Sequence, residues 1–352
     1  MIKVLIVDDS NVVRDFLDYI FSTDPAFQVV GRASSGVECL RLASELRPNV
    51  ITMDLHMPQM DGLEATRSIM ESVPTPIVII SASSGAVDVA SMFQALEAGA
   101  LAVCLRPPGI GDPLYQASVQ ELLRTVKLMS EIKVVRRFGR AVNAPRPTVP
   151  RRPVLPTGRE IQLIAIGTST GGPPVLHKIL SLLPRELQVP LLIVQHITPG
   201  FTEGFVSWLG SSSGFPVHIA VQGQIPLPGH GYVAQEGFHL GITYGPRIVL
   251  SNHAPENGLR PAVAYLFRTT AQVLGPNAVG VMLTGMGRDG AQELKEMKDC
   301  GALTIAQDEA SSIVFGMPGE AVKLGAAMYI LPPEAIATML AEVVRMKNGA
   351  PG

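Results

Sequence analysis

Two stretches in which short apolar runs alternate with amphipathic segments, separated by an interval rich in arginine and proline, constrain this chain more than any other feature. In residues 1–127, β-branched runs at 3–7, 28–33, 50–53, 77–80 and 102–105 alternate with helical patterns at 12–21, 36–46, 62–72, 87–97 and 114–127. That alternation predicts right-handed βαβ crossovers and a doubly wound parallel sheet, whose ligands sit at the carboxyl ends of the strands. Residues 160–347 repeat the pattern, with apolar runs at 163–166, 191–194, 217–220, 248–250, 278–283, 303–306 and 328–331. Helical patterns follow there at 174–183, 202–209, 261–274, 291–300, 319–324 and 333–346. Between the two, residues 128–159 carry Arg136, Arg137, Arg140, Arg146, Arg151, Arg152 and Arg159 among Pro145, Pro147, Pro150, Pro153 and Pro156. Proline excludes regular helix, so a basic, extended linker is predicted between two α/β domains.

The bulk numbers narrow the function class. A chain of 352 residues with 47% hydrophobic and 16% charged residues can bury two cores, and a net charge of −2 gives no global attraction to nucleic acid or anionic lipid. The basic linker has no interleaved aromatic residues on which bases would stack. No apolar run approaches the roughly 18 residues of a membrane span, and the first strand reaches Asp8-Asp9 too early for a signal peptide. Cys39, Cys104 and Cys300 are too few and too scattered for a disulfide frame or a thiolate metal site. The expectation is a soluble cytoplasmic protein that neither binds nucleic acid nor inserts in a membrane.

In the first domain, Asp8 and Asp9 end the first apolar run and Asp54 ends the third, in Met53-Asp54-Leu55-His56-Met57-Pro58. A doubly wound sheet sets those two strand ends side by side, and three crowded carboxylates repel one another unless a hard cation such as Mg²⁺ joins them. A loop aspartate can also attack phosphorus and form an acyl phosphate, with Ser81 at the next strand end placed to hydrogen-bond it. The alternative is that Asp8 and Asp9 only cap the following helix. Val7-Asp8-Asp9-Ser10, Met53-Asp54-Leu55 with Met57-Pro58 and Met60-Asp61-Gly62, and Ile80-Ser81-Ala82 make this region resemble a response-regulator receiver domain. The resemblance implies a flavodoxin-like fold, phosphorylation of Asp54 by a histidine kinase, and Mg²⁺ at Asp8, Asp9 and Asp54. Receivers usually carry lysine before the proline after strand five; here Arg106 precedes Pro107. Arginine keeps the charge on a longer, forked side chain, which bears on switching more than on phosphorylation.

In the second domain, Gly167-Thr168-Ser169-Thr170-Gly171-Gly172 directly follows an apolar run. A strand that ends in Gly-x-Ser-x-Gly and opens a helix holds its serine on a tight turn, exposed as a nucleophile beside backbone N–H groups. Of seven histidines, His196 ends the apolar run 191–195, on the same sheet edge as Ser169. His177 falls in a helical pattern, His218 in a strand, and His230, His239 and His253 in turn-rich segments. No aspartate lies between Ser169 and Asp289, and Glu186, Glu203 and Glu236 do not end apolar strands. Asp289 does follow one, in Thr284-Gly285-Met286-Gly287-Arg288-Asp289-Gly290, with a plain helix N-cap as its alternative reading. Backbone N–H groups at Thr170 and in the Met286 segment are candidate oxyanion donors.

These motifs, with Gln195-His196, Arg260-Pro261-Ala262-Val263, Gln307-Asp308-Glu309 and Val314-Phe315-Gly316-Met317-Pro318, resemble the catalytic domain of chemotaxis protein-glutamate methylesterases. The resemblance spans about residues 161–345. It implies a Rossmann-like α/β fold, with Ser169 as nucleophile, His196 as general base, Asp289 as its orienting partner and the Thr170 and Met286 amides as oxyanion stabilisers. It further implies hydrolysis of glutamyl methyl esters, and deamidation of glutamines, on chemoreceptor cytoplasmic domains, with no cofactor in the catalytic domain. A receiver-linked transcription factor is excluded by the absence of a helix-turn-helix signature or basic recognition helix.

Overall fold

Parallel strands covered on both faces read as unbroken apolar runs, and both halves of this chain are organised by such strands. The structure, a computed structural model, describes residues 1–82, 86–132, 134 and 160–345, with the side chains of 86–89 and 345 left aside. Its contacts divide the chain into Met1–Arg146 and Pro147–Gly352. The arginines and prolines of the predicted linker lie outside the described residues, as does Met346.

The first unit runs β1 (Ile2–Val7), α1 (Asn11–Ser22), β2 (Phe27–Ala33), α2 (Gly36–Leu46), β3 (Val50–Met53), α3 (Gly62–Ser72), β4 (Ile77–Ser81), α4 (Ala86–Ala98), β5 (Ala102–Leu105) and α5 (Tyr115–Ser130). Its five parallel strands are ordered β2-β1-β3-β4-β5. The chain leaves β1 for β2 on one side and returns to β3 on the other, so the order reverses between β1 and β3. Helix starts are set locally: Ser10, Ser35 and Asp61 accept hydrogen bonds from N–H groups of the first turns of α1, α2 and α3. Helix α5 continues to Ser130, so the first residues assigned by sequence to the linker are helical.

The second unit runs β6 (Leu163–Thr168), α6 (Gly172–Leu182), β7 (Leu191–Gln195), α7 (Thr202–Ser213), β8 (Val217–Ile219), β9 (Gly231–Val233), β10 (His239–Thr243), β11 (Arg247–Ser251) and α8 (Val263–Leu274). It continues with β12 (Ala278–Met282), α9 (Ala291–Asp299), β13 (Leu303–Gln307), α10 (Met317–Lys323), β14 (Tyr329–Leu331) and α11 (Pro333–Arg345). Seven parallel strands are ordered β14-β13-β12-β6-β7-β9-β8, with every residue of β6, β7, β12 and β13 buried. The order reverses at β6, which is flanked by β7 and β12. The run at 248–250 departs from the expected pattern: it lies in β11, which pairs antiparallel with β10 in a separate hairpin. That hairpin packs Leu240, Ile242 and Ile248 into one core with Leu266 and Phe267 of α8. Strand β9 was not anticipated; three residues behind a Pro-Gly turn are too few to show a pattern. Cys39 and Cys104 are buried as expected, whereas Cys300 is exposed after α9. No helix among the described residues is long and apolar enough to cross a membrane.

Candidate functional site

The reversal point of each sheet gathers the polar residues singled out from the sequence. In the first unit, carboxylate oxygens of Asp8, Asp9 and Asp54 lie within 4.8 Å of one another. Asp54 N–H donates to Val7 O at 2.9 Å, tying the end of β3 to the end of β1. Capping of α1 falls to Ser10, so Asp8 and Asp9 are not used as caps. Asp8 Oδ1 accepts from Ser10 N–H at 2.9 Å, and Asp54 Oδ2 accepts from His56 N–H at 3.2 Å. Burial raises the Asp8 carboxyl to about 6, with the charges of Asp54 and Asp9 adding to the rise and Arg106 opposing it. Burial likewise raises Asp54. Three oxygen donors that destabilise one another's charge are a donor set suited to a hard divalent cation. Ser81 and Arg106 close the same edge, with Arg106 N–H donating to Ser81 O at 2.7 Å.

In the second unit, Thr168 of β6 pairs with Gln195 of β7, so Ser169 and His196 are the next residues on adjacent strand ends. Ser169 N–H donates to Thr284 O at 3.0 Å, binding the serine turn to the loop that follows β12. The glycines of the turn are required by close approach and by conformation. A Cβ at Gly167 would lie 2.2 Å from Val263 Cγ1 of α8. Gly171, with φ +76°, opens α6 in the left-handed region. Thr168 is fully buried, and its hydroxyl donates to Thr284 O at 3.1 Å. Ser169 is half-buried.

His196 Nε2 lies 3.0 Å from Asp289 Oδ2, with only 13% of the His196 side chain and 4% of the Asp289 side chain exposed. An ionised carboxylate only accepts, so Nε2 carries the imidazole proton and Nδ1 is left with the lone pair. Asp289 is itself anchored: Oδ2 accepts from Val263 N–H at 2.6 Å and Oδ1 from Ala264 N–H at 3.2 Å. These are the first N–H groups of α8, whose N-terminal residue Ala262 offers no side-chain cap. The alternative reading, a cap for the helix directly after it, does not hold, because the N-cap position of α9 is Gly290, with no side-chain cap. Gly285 brings the Met286 segment against the serine: a Cβ there would lie 2.7 Å from Ser169 Cβ. The side chain of Met286 is substantially exposed.

His177, His218, His230, His239 and His253 are placed elsewhere. His239 is the first residue of β10 rather than a turn residue, and it is fully buried between Ala254 O and Ala262 N–H. Sequence reasoning passed over the roles of three buried polar residues around the serine turn. Thr284 Oγ donates to Thr170 O at 3.0 Å, Gln307 Oε1 accepts from Thr284 N–H at 2.8 Å, and Gln195 Nε2 donates to Ser169 O at 2.9 Å. The available signal was position, since Gln195 and Gln307 each end an apolar strand.

Comparison with known proteins agrees with both halves. Residues 164–340 match the family model described as CheB methylesterase, and residues 4–109 match the response regulator receiver domain. A protein-glutamate methylesterase/protein-glutamine glutaminase of Nitrosospira multiformis is 51% identical over 345 residues, covering 98% of this chain and 97% of the relative. A relative of the same description from Syntrophus aciditrophicus is also 51% identical, covering 97% of this chain and 98% of its own. The crystal structure of the Thermotoga maritima CheB methylesterase catalytic domain aligns with a TM-score of 0.51 at 36% identity, covering 52% of this chain and 99% of that domain. With one domain of each kind and full-length relatives at half identity, the chain belongs to the protein-glutamate methylesterase/protein-glutamine glutaminase family that carries an N-terminal response regulator receiver domain.

Proposed function

We propose that this chain hydrolyses glutamyl γ-methyl esters, and deamidates selected glutamines, on the cytoplasmic domains of chemoreceptors, in the cytoplasm and under control of phosphorylation at Asp54. The observation that carries the reading is the His196–Asp289 hydrogen bond of 3.0 Å, built beside Ser169 at the reversal point of the sheet. Ser169 Oγ forms a bond to the γ-carbonyl carbon while His196 Nδ1 takes its proton. The oxyanion is held by the N–H groups of Thr170 and Met286. Collapse breaks the bond to the methoxy oxygen, which leaves as methanol with the proton from His196; ammonia leaves in the same way from a glutamine. Water, deprotonated by His196, then attacks the acyl-serine and returns Ser169 and a glutamate. Asp289 keeps the imidazole in the tautomer that has Nδ1 free and stabilises it while protonated.

In the receiver, Asp54 is the phosphoryl acceptor from a histidine kinase, and Ser81 and Arg106 sense the added group. Asp8, Asp9 and Asp54 would hold Mg²⁺, which supplies neutralisation of carboxylate and phosphoryl charge. The raised Asp8 and Asp54 carboxyls support that placement. The test is methanol release from methylated chemoreceptor fragments by the full chain, with and without a small-molecule phosphodonor. Release that rises with the phosphodonor, and no longer does so in Asp54→Asn, is expected; the absence of any release refutes the reading.

A further inference from the structure

Gln195 ends a strand whose other residues are all apolar, yet its side chain is almost wholly buried, at 4% exposure. Both hydrogens of its amide are committed: Nε2 donates to Ser169 O at 2.9 Å and to His196 O at 2.7 Å. Two acceptors on one nitrogen fix the orientation of the amide without ambiguity. Its Oε1 is buried and accepts from no described group. A leucine or methionine would fill the same space without stranding an acceptor, so packing does not account for glutamine here. The neighbouring backbone is fitted to this amide as well, since a Cβ at Gly172 would lie 2.2 Å from Oε1.

The consequence follows from peptide geometry. In a trans peptide the C=O and the N–H of the same plane point in opposite directions. The carbonyl of Ser169 and the amide of Thr170 share one plane. That carbonyl is held from the protein interior by two donors, Gln195 Nε2 and Gly172 N–H, both at 2.9 Å. The second plane is treated identically: Gly285 O, which shares its plane with Met286 N–H, accepts from Gly316 N–H at 3.2 Å and Met317 N–H at 2.9 Å. Neither Thr170 N–H nor Met286 N–H donates to another described residue. Each of the two planes is therefore clamped at its carbonyl end by paired donors and left with an uncommitted N–H at the other. Three of the four clamping donors are backbone groups; the fourth is the Gln195 side chain.

We infer that Gln195 is a positioning residue for the oxyanion site: by clamping Ser169 O it aims the Thr170 N–H at the developing charge. The inference rests on the proposed roles of Ser169 and Thr170. A carbonyl that accepts two hydrogen bonds also polarises its plane and strengthens the N–H opposite, so the clamp acts on donor strength as well as direction. Through its second bond, to His196 O, the same amide holds the strand end that presents the imidazole.

The test uses the full chain with a phosphodonor, a methylated chemoreceptor fragment as substrate and methanol release as readout. Gln195→Met, which matches volume and removes both donors, is expected to lower kcat about 10- to 100-fold, somewhat less than outright loss of an oxyanion donor. KM stays within about twofold, because the clamp acts on the transition state rather than on uniform binding. In an ¹⁵N spectrum the Thr170 amide resonance shifts and that of Met286 does not, a selectivity that general loosening would not produce. Gln195→Asn, one methylene short of reaching both carbonyls, gives the same pattern if the methionine variant folds poorly. Unchanged kcat in a folded variant, or equal shifts at both amides, overturns the inference while leaving the nucleophile in place. Full turnover by Ser169→Ala instead overturns the reading of the site itself, so the two failures are told apart.

Discussion

The two sheets of this chain put their chemistry at the same topological position and solve opposite electrostatic problems there. In the receiver, strands β1 and β3 deliver three carboxylates to one spot, where burial, with mutual repulsion added to it, pushes Asp8 up to about 6 and raises Asp54. In the methylesterase domain, the Asp289 carboxylate is compensated from within the chain. Asp289 receives two N–H groups of α8 and the imidazole of His196. On the proposed reading, what compensates the first pocket comes from outside, as a cation and a phosphoryl group. In the second, the partners of the carboxylate are already in the chain. A switch and a catalyst differ in this respect on closely related scaffolds, because a switch has to gain free energy on modification whereas a catalyst has to avoid reorganisation during turnover.

The sharpest way to break this comparison is at the compensated site. Ser169→Ala should lower turnover about 10⁶-fold, as removal of the nucleophile does in other serine triads. Single-turnover methanol release measures it, and near wild-type rates would remove Ser169 from the mechanism. Asp289→Asn should cost less, about 10⁴-fold, by allowing the wrong imidazole tautomer. It also has a structural signature that Ser169→Ala lacks. An asparagine cannot accept from α8 and from His196 with both of its heteroatoms, so a cap worth about 1 kcal/mol is weakened and thermal unfolding of the second domain shifts down. Unaltered stability would mean that α8 does not depend on this carboxylate.

How much of this was legible before any coordinates follows the same physics. Buried parallel strands advertise themselves as apolar runs, so β1, β3, β6, β7, β12 and β13 were placed within two residues by pattern alone. The meeting of His196 and Asp289 beside Ser169 was legible because polar residues in such sheets collect where apolar runs stop. Strand β9 was hidden by its length, and β10 by the histidine that opens it, which looks like a turn residue until Ala254 O and Ala262 N–H are seen to satisfy it. The anchoring of Asp289 was equally invisible: its partners on α8 are 26 and 25 residues away, and only tertiary structure makes a cap across that distance. Gln195 was read as part of a motif, but nothing in a sequence says that its amide bridges Ser169 O and His196 O.

At the uncompensated site the expected effects are smaller and depend on pH. With the Asp8 carboxyl at about 6, a proton competes with a cation for that oxygen below pH 6 and is already gone at pH 7. The sign is fixed by burial, which favours the neutral acid: lowering pH fills the site with a proton and weakens Mg²⁺. Apparent Mg²⁺ affinity should therefore fall about tenfold from pH 7 to pH 5, read by titration calorimetry on the full chain. An ordinary carboxyl near 4 would give almost no change over that range. A flat profile would show that the receiver pocket is as well compensated as the catalytic one, and the contrast between the two would disappear.

The smallest effect is expected where the receiver departs from its family. Arg106 lowers the Asp8 carboxyl electrostatically, so its charge already reaches the acidic pocket without a phosphoryl group. Its backbone N–H is bonded to Ser81 O at 2.7 Å, which ties the ends of β4 and β5 together. A guanidinium spreads its charge over a planar fork, whereas an ammonium concentrates it at one point and is free to swing. Arg106→Lys should therefore leave phosphorylation of Asp54 intact and raise the ratio of stimulated to unstimulated methanol release, by about fivefold, at the low end of ordinary coupling. The increase is expected because a lysine engages the pocket less firmly until the phosphoryl group arrives, which widens the gap between the two states. A ratio that does not change would mean that position 106 needs only a positive charge, and that the geometry of switching is carried by Ser81 and the backbone that joins it to β5.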